Sequence, residues 1–346
     1  MMGALSQQSS RGWWLIVLRW AAALIILGVL LHFLPLAPLR AAIARVPISI
    51  FLAVLLGYLL VHCAGVAKWR MVVNAAGAEL DFATSAQCYF GGLFGTLFLP
   101  SIVGGDVVRL AVGLRRSPRP AAVLTGNLVD RFLDVVAQAG LVLLGFVLLP
   151  ESDLVPENVE GTLDDVLLAI AVGVLLLLAL MFALRRRILH GRSVRFRRRL
   201  ARIRHALRSV SKKPRVLVLG WLLGTCIQMA FLMLTARLAV YCGLRLPLRS
   251  WLFAWPLAKL AAVLPVTQGG IGVREAALVA LLAPFGAPGH LVLAAGLVWE
   301  GVVIAGGLMA GGVTLILRRC VDREPQSPVL QRGREQVHDT SNGKNM

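Results

Sequence analysis

LPSIVGGDVVR, from Leu99 to Arg109, and LPVTQGGIGVR, from Leu264 to Arg274, share the spacing LPxxxGGxxVR, one copy in each half of the chain. Both interrupt strongly apolar sequence. Proline removes a backbone donor and paired glycines weaken a helix further, so each copy is expected to break a helix. In hydrocarbon the freed backbone groups find no partner, and a break survives only beside protein or a water-filled cavity. The two breaks are therefore expected to form one intramembrane site.

Composition places them in a membrane. The chain of 346 residues is 58% hydrophobic and 15% charged, against about half apolar and a quarter charged for a soluble domain. A net charge of +19 looks like a nucleic-acid footprint until it is located: 14 basic and no acidic residues fall between Arg185 and Arg215. Nothing else of a nucleic-acid-binding motif accompanies that run, so a nucleic-acid partner is not expected. Five cysteines, without CxxC spacing, indicate neither a disulfide framework nor a zinc site.

Apolar spans are read at 13–34, Ile48 to Val66, Ala121 to Leu149, Val166 to Leu184, Val216 to Ala236 and Leu291 to Leu317. A bilayer-crossing helix needs about 20 residues. The first span lacks a signal-peptide cleavage pattern and is read as uncleaved. Lys68, Trp69 and Arg70 read as a cytoplasmic interface anchor. The limbs around each break, Thr84 to Leu99 with Ser101 to Leu114 and Trp251 to Leu264 with Ile271 to Ala283, reach only about 20–24 Å, short of a hydrocarbon core of about 30 Å. The expected fold is an all-α polytopic membrane protein with six full spans and two re-entrant helical hairpins; an eight-span count is the alternative. The positive-inside rule puts 185–215 in the cytoplasm and 151–165, with six acidic and no basic residues, outside. Both termini are then cytoplasmic and the hairpins enter from opposite sides, as in an inverted repeat with a midplane site. Residues 1–318 read as one membrane domain and 319–346 as a disordered cytoplasmic tail. Gly307 and Gly311 form a GxxxG pattern suited to close helix packing.

Within 185–215, Phe196, Leu200, Ile203, Leu207 and Val210 recur at three and four residues among arginines. An amphipathic helix on an anionic lipid surface explains that pattern. A solvated loop that serves only orientation also does.

Nine ionisable residues stand in apolar segments: Asp106, Arg109, Asp130, Arg131, Asp134, Lys259, Arg274, Glu275 and Glu300. Exposing all of them to lipid would cost roughly 20 kcal/mol, so most must face protein or water. Asn127, Asp130, Arg131, Asp134 and Gln138 fall on one helical face. Cavity lining and purely structural pairing are both open for Asp130, Arg131 and Asp134. In each motif the second glycine, Gly105 or Gly270, is expected to open a new helical limb whose free N–H groups attract anions. Arg109 and Arg274 follow about one turn later, and a guanidinium fork matches phosphate oxygens. Asp106 is placed to pair with Arg109, which makes Arg274 the stronger expectation for an anionic headgroup. Lys259 and Glu300 carry weaker signals, and His62, one turn from Tyr58, reads as a packed histidine. The candidate binding set is Gly104, Gly105, Asp106, Arg109, Asn127, Asp130, Arg131, Asp134, Gln268, Gly269, Gly270, Arg274, Glu275 and Glu300.

LPSIVGGDVVR from Leu99, NLVDRFLD from Asn127 and LPVTQGGIGVREAAL from Leu264 resemble the lysylphosphatidylglycerol synthase transmembrane-region family, the flippase-like integral membrane proteins. The resemblance implies a bacterial inner-membrane protein that moves or handles polar lipids. Gly104, Gly105, Asp106, Arg109, Asp130, Arg131, Asp134, Gly269, Gly270, Arg274 and Glu275 fall on its motif positions. The chain departs from full-length lysyl-lipid synthases by ending in a short polar tail without a soluble transferase domain, so lysyl-lipid synthesis is not expected. The leading expectation is a lipid translocase, not an enzyme, with no cofactor. No nucleotide-binding P-loop is present. The alternatives are a membrane-embedded transferase on a lipid phosphate and an accessory protein of lipid or glycan synthesis; a homo-oligomer is compatible with each.

Overall fold

The computed structural model describes residues 21, 25, 28, 29, 32, 36–99, 103–148, 194–262, 267 and 270–323. Helices account for its regular structure, and no strand occurs among the described residues. They are α1 (Leu36–Ala44), α2 (Ile48–Ala75), α3 (Phe82–Gly95), α4 (Val103–Arg116), α5 (Pro120–Val147), α6 (Val194–Ser211), α7 (Pro214–Tyr241), α8 (Leu248–Ala261), α9 (Val273–Leu282) and α10 (Gly289–Arg323), with a short 3₁₀ turn at Ala283–Phe285. Most of the spans expected at 13–34 and 166–184, the acidic loop 151–165 and the tail from 324 lie outside the described residues.

Proline sets many of the boundaries. Pro120 and Pro214 stand in the first turn of α5 and α7, where the missing N–H costs nothing, and Pro47 and Pro247 precede α2 and α8. Asp81 caps α3 by accepting a 2.9 Å hydrogen bond from the Thr84 backbone N–H.

The two halves repeat one plan. The first runs 28, 14, 14 and 28 residues through α2, α3, α4 and α5, and the second 28, 14, 10 and 35 residues through α7, α8, α9 and α10. Their connections match as well. Gly77 after α2 has φ +95° and Gly243 after α7 has φ +96°, a conformation only glycine adopts freely. Beyond each, Ala78 N–H donates to Val73 C=O and Leu244 N–H to Ala239 C=O, so both long helices end in the same turn.

Packing follows the same twofold correspondence. α3 of the first half lies against α10 of the second, and α8 of the second against α5 of the first, so the halves interlock rather than stand side by side. α2 packs on α7, α6 lies against α5, and its counterpart α1 lies against α10. The GxxxG pair lets α10 approach closely: a Cβ on Gly311 would fall 2.6 Å from Phe94 of α3, and one on Gly307 2.9 Å from Leu97 just beyond that helix. Leu52, Leu128, Phe132, Leu222 and Leu308 form part of an exposed apolar surface around this core.

Among the described residues three helices, Ile48–Ala75, Pro214–Tyr241 and Gly289–Arg319, are long and apolar enough to cross a membrane. α5 has the length but carries Asp130, Arg131 and Asp134. α3, α4 and α8 each extend about 21 Å and α9 about 15 Å, below the roughly 30 Å of a hydrocarbon core.

Candidate functional site

The polar face of α5 turns inward. Asn127, Asp130 and Gln138 are buried, whereas Leu128, Phe132 and Leu143 on the opposite face are exposed. Asn127 accepts a 2.9 Å hydrogen bond from the Trp69 indole. Asp130 and Asp134 accept from Lys68 at 2.7 and 2.6 Å. Lys68 and Trp69 are thus interior residues, which corrects their reading as an interface anchor: two carboxylates and an amide on α5 give their polar ends partners inside the bundle. Arg70 instead donates to the Leu80 carbonyl at the end of α2.

Arg131 draws the first-half cluster together, lying 3.4 Å from Asp106 and 3.2 Å from each of Asp130 and Asp134. Arg109 is held differently. Its guanidinium is 3.5 Å from Asp106 and 3.8 Å from Asp130, too far for good hydrogen bonds, and stacks 4.2 Å over the Tyr89 ring. Although Arg109 is only 7% exposed, its Nε and Nη1 have no hydrogen-bond partner.

In the second half Arg274 is fully engaged. It donates to Glu275 at 2.6 and 3.0 Å and to Glu300 at 2.7 Å, and the buried Glu275 also accepts from the Gly272 N–H at 2.8 Å. Two expectations from the repeated motif are corrected here. The α9 N-terminus does not present that N–H to an outside anion, because the chain's own carboxylate takes it. Nor does the second glycine open a limb: α4 begins at Val103, before Gly104 and Gly105, whereas α9 begins at Val273, after Gly270 and Gly272 with φ of +81° and +83°. Gly105 fits inside a helix because it lies against the Gly92 carbonyl and Thr96, where a side chain has no room.

Lys259 on α8 completes the set. Its ammonium donates to Gln228 at 2.7 Å, lies 5.0 Å from the Trp255 ring centre and 5.5 Å from that of Phe231, and has no carboxylate within 4.0 Å among the described residues.

Two cavities meet at these residues. A polar one of about 350 Å³ is bordered by Lys68, Gly105, Asp106, Arg109, Asp130, Arg131, Asp134, Gln138, Gln228 and Lys259. An apolar one of about 390 Å³ is bordered by Leu97, Phe98, Trp255, Trp299, Ile304 and Leu308, with Arg274 and Glu300 on its wall. His62, Leu93, Thr96, Phe231 and Lys259 border both. Phe98, Ile304 and Leu308 are exposed on the bundle's outer surface, so the apolar space reaches the side of the molecule.

The structure thus brings Gly105, Asp106, Arg109, Asp130, Arg131 and Asp134 to one cavity and Arg274 with Glu300 to its neighbour. Gly104, Asn127, Gly270 and Glu275 are buried in support of these walls and border neither. Gln268 and Gly269 lie outside the described residues. Sequence reasoning passed over Lys68 as an anchor, ranked Lys259 low, and did not single out Tyr89 or Gln228. Gln228 carried the clearest available signal, an amide in the middle of an apolar span. His62 is packed as expected, its ring 4.4 Å from Tyr58 and its Nδ1 3.3 Å from the Tyr89 hydroxyl, but it also borders both cavities. Among the described residues no three His, Cys, Asp or Glu side chains gather as a metal site.

Interlocked broken helices around a charged interior define a polytopic helical membrane protein with an intramembrane polar cavity. A match to the lysylphosphatidylglycerol synthase TM region over residues 16–311 identifies the lineage: the chain belongs to that family, which places it among membrane proteins of lipid metabolism or transport. No curated protein and no solved structure matches the chain.

Proposed function

We propose that this protein is a lipid translocase of a bacterial inner membrane. A polar, phosphate-bearing headgroup crosses through the cavity beside Arg109 while the hydrocarbon tails stay in the neighbouring apolar space and the bilayer. The observation that carries this reading is the juxtaposition of the two cavities. One has the charges a headgroup needs in place of water, the other has an apolar wall that reaches the molecule's side, and they share the His62, Phe231 and Lys259 boundary. Charge-assisted hydrogen bonds offset part of the headgroup's desolvation.

The short limbs and matched halves support two re-entrant hairpins of opposite orientation; the six apolar spans of the sequence and its basic 185–215 segment then put both termini in the cytoplasm. On this reading α6 lies at the cytoplasmic rim. Val210 and Ala206 pack into the bundle, so the expected apolar stripe is divided: one edge anchors α6 to the protein, and exposed Leu207 with its neighbouring arginines faces an anionic leaflet.

The test is movement of fluorescent phosphatidylglycerol across reconstituted vesicles, read by external quenching. Vesicles containing the protein are expected to exchange label between leaflets faster than protein-free vesicles, and Arg109→Ala to lose most of the difference. Equal rates with and without protein would overturn the proposal.

A further inference from the structure

Charge bookkeeping around the two cavities points past the translocase reading to the sign of the ligand. Each of the five carboxylates, Asp106, Asp130, Asp134, Glu275 and Glu300, has a Lys or Arg nitrogen within 4.0 Å. By the same measure Lys68, Arg109 and Arg274 each have two carboxylates and Arg131 has three. Two cations nevertheless have the most donor capacity to spare. Among the described residues Lys259 has only a neutral amide, and the buried Arg109, whose carboxylates lie at 3.5 and 3.8 Å, leaves two nitrogens without a hydrogen bond, against one on Arg131. Both border the polar cavity, one from each half of the repeat. Leaving such donors unmet in a buried site costs free energy that a ligand oxygen would recover.

We infer that Arg109 and Lys259 form an anion site bridging the two halves, selective for a phosphate ester without an ammonium group, and that Lys259 sets this selectivity. The inference rests on the translocase reading only in taking the ligand to be a lipid; the anion site itself does not. An ammonium headgroup meets no spare carboxylate and brings a positive charge toward the uncompensated Lys259. A phosphate oxygen meets guanidinium N–H groups on one side and an ammonium on the other, with Gln228 holding Lys259 in place. The apolar cavity that Lys259 also borders gives a lipid an advantage over a soluble phosphate ester of the same charge.

Binding to the purified protein in detergent, measured by native mass spectrometry with phosphatidylglycerol, phosphatidylcholine and soluble glycerol 1-phosphate, tests this without translocation. The unmodified protein is expected to bind phosphatidylglycerol at least about tenfold more tightly than phosphatidylcholine, from one charge-assisted contact. Lys259→Gln is expected to abolish the preference and Lys259→Arg to keep it. A thermal transition measured alongside checks that Lys259→Gln is folded; Arg109→Gln, which removes the other donor, is a second variant expected to weaken phosphatidylglycerol binding. Equal affinity for the two lipids, or a preference that survives Lys259→Gln, would overturn the inference. Glycerol 1-phosphate competing as well as the lipid would uphold the anion site and overturn the translocase reading; intact selectivity with no vesicle exchange would also overturn that reading alone.

Discussion

Lys68→Met is the sharpest perturbation of the charged interior. It removes the ammonium that lies 2.7 Å from Asp130 and 2.6 Å from Asp134 while filling nearly the same volume. Asp130 is 1% exposed and its remaining cations are more distant, Arg131 at 3.2 Å and Arg109 at 3.8 Å. Breaking a buried pair costs about 3–5 kcal/mol because a charge is left uncompensated. Arg131 also stays 3.2 Å from Asp134, which argues for the lower end, about 3 kcal/mol or roughly two orders of magnitude in the unfolding equilibrium. Denaturation in mixed micelles, followed by tryptophan fluorescence, measures the loss. Adding Asp134→Asn to Lys68→Met is expected to recover part of it, since one of the stranded carboxylates is then gone. A single variant that loses less than about 1 kcal/mol, or a double variant less stable than additivity allows, would refute the assignment of Lys68 to this cluster.

Further predictions concern packing, capping and topology. Gly145→Ala on α5 places a Cβ 2.5 Å from the Phe253 backbone nitrogen and is expected to destabilise by about 1–3 kcal/mol, whereas Gly140→Ala on the same helix meets nothing within 4 Å and is expected to gain up to about 1 kcal/mol. Thermal transitions of the two variants, moving in opposite directions, check this. Burial raises the Asp81 carboxyl, but hydrogen bonds from Thr84 and the first backbone N–H groups of α3 outweigh it and hold the group below the usual carboxylate range. Its contribution is therefore present above about pH 4 and fades as pH falls through the lowered value; Asp81→Ala is expected to cost about 1 kcal/mol at pH 7 and progressively less as the pH is lowered below about 4, read from denaturation along that series. In a cysteine-free background, Arg119→Cys is expected to react with an impermeant maleimide only from the cytoplasmic side and Pro284→Cys only from the outside; labelling of both from one side would contradict opposed hairpins.

Much of the architecture was readable because bilayer and proline constraints act locally. The Pro–Gly pairs marked both helix breaks, and the spacing of Asn127, Asp130, Arg131, Asp134 and Gln138 revealed the inward face of α5. Gly307 and Gly311 announced a close helix contact, though not that α3 of the other half would fill it. What local pattern cannot give is partnership across the repeat. Lys68 looked like an anchor because it follows a long apolar run, and only the packing of α2 on α5 brings two aspartates to it. The relative standing of the two arginines depended on long-range pairing too: Glu300, far along the chain, reaches Arg274, while Asp106 lies 3.4 Å from Arg131 and 3.5 Å from Arg109, which keeps two unmet nitrogens. Lys259 gained its place from what does not surround it.

The central claim is that a lipid crosses with its headgroup in the polar cavity and its tails in the apolar one, and Thr96 borders both. Thr96→Trp fills that junction and leaves every charged side chain in the sequence unchanged. Leaflet exchange of labelled phosphatidylglycerol in vesicles is expected to fall to the protein-free rate with the thermal transition of the purified variant retained. A folded Thr96→Trp protein that exchanges lipid at the unmodified rate would contradict passage through this site.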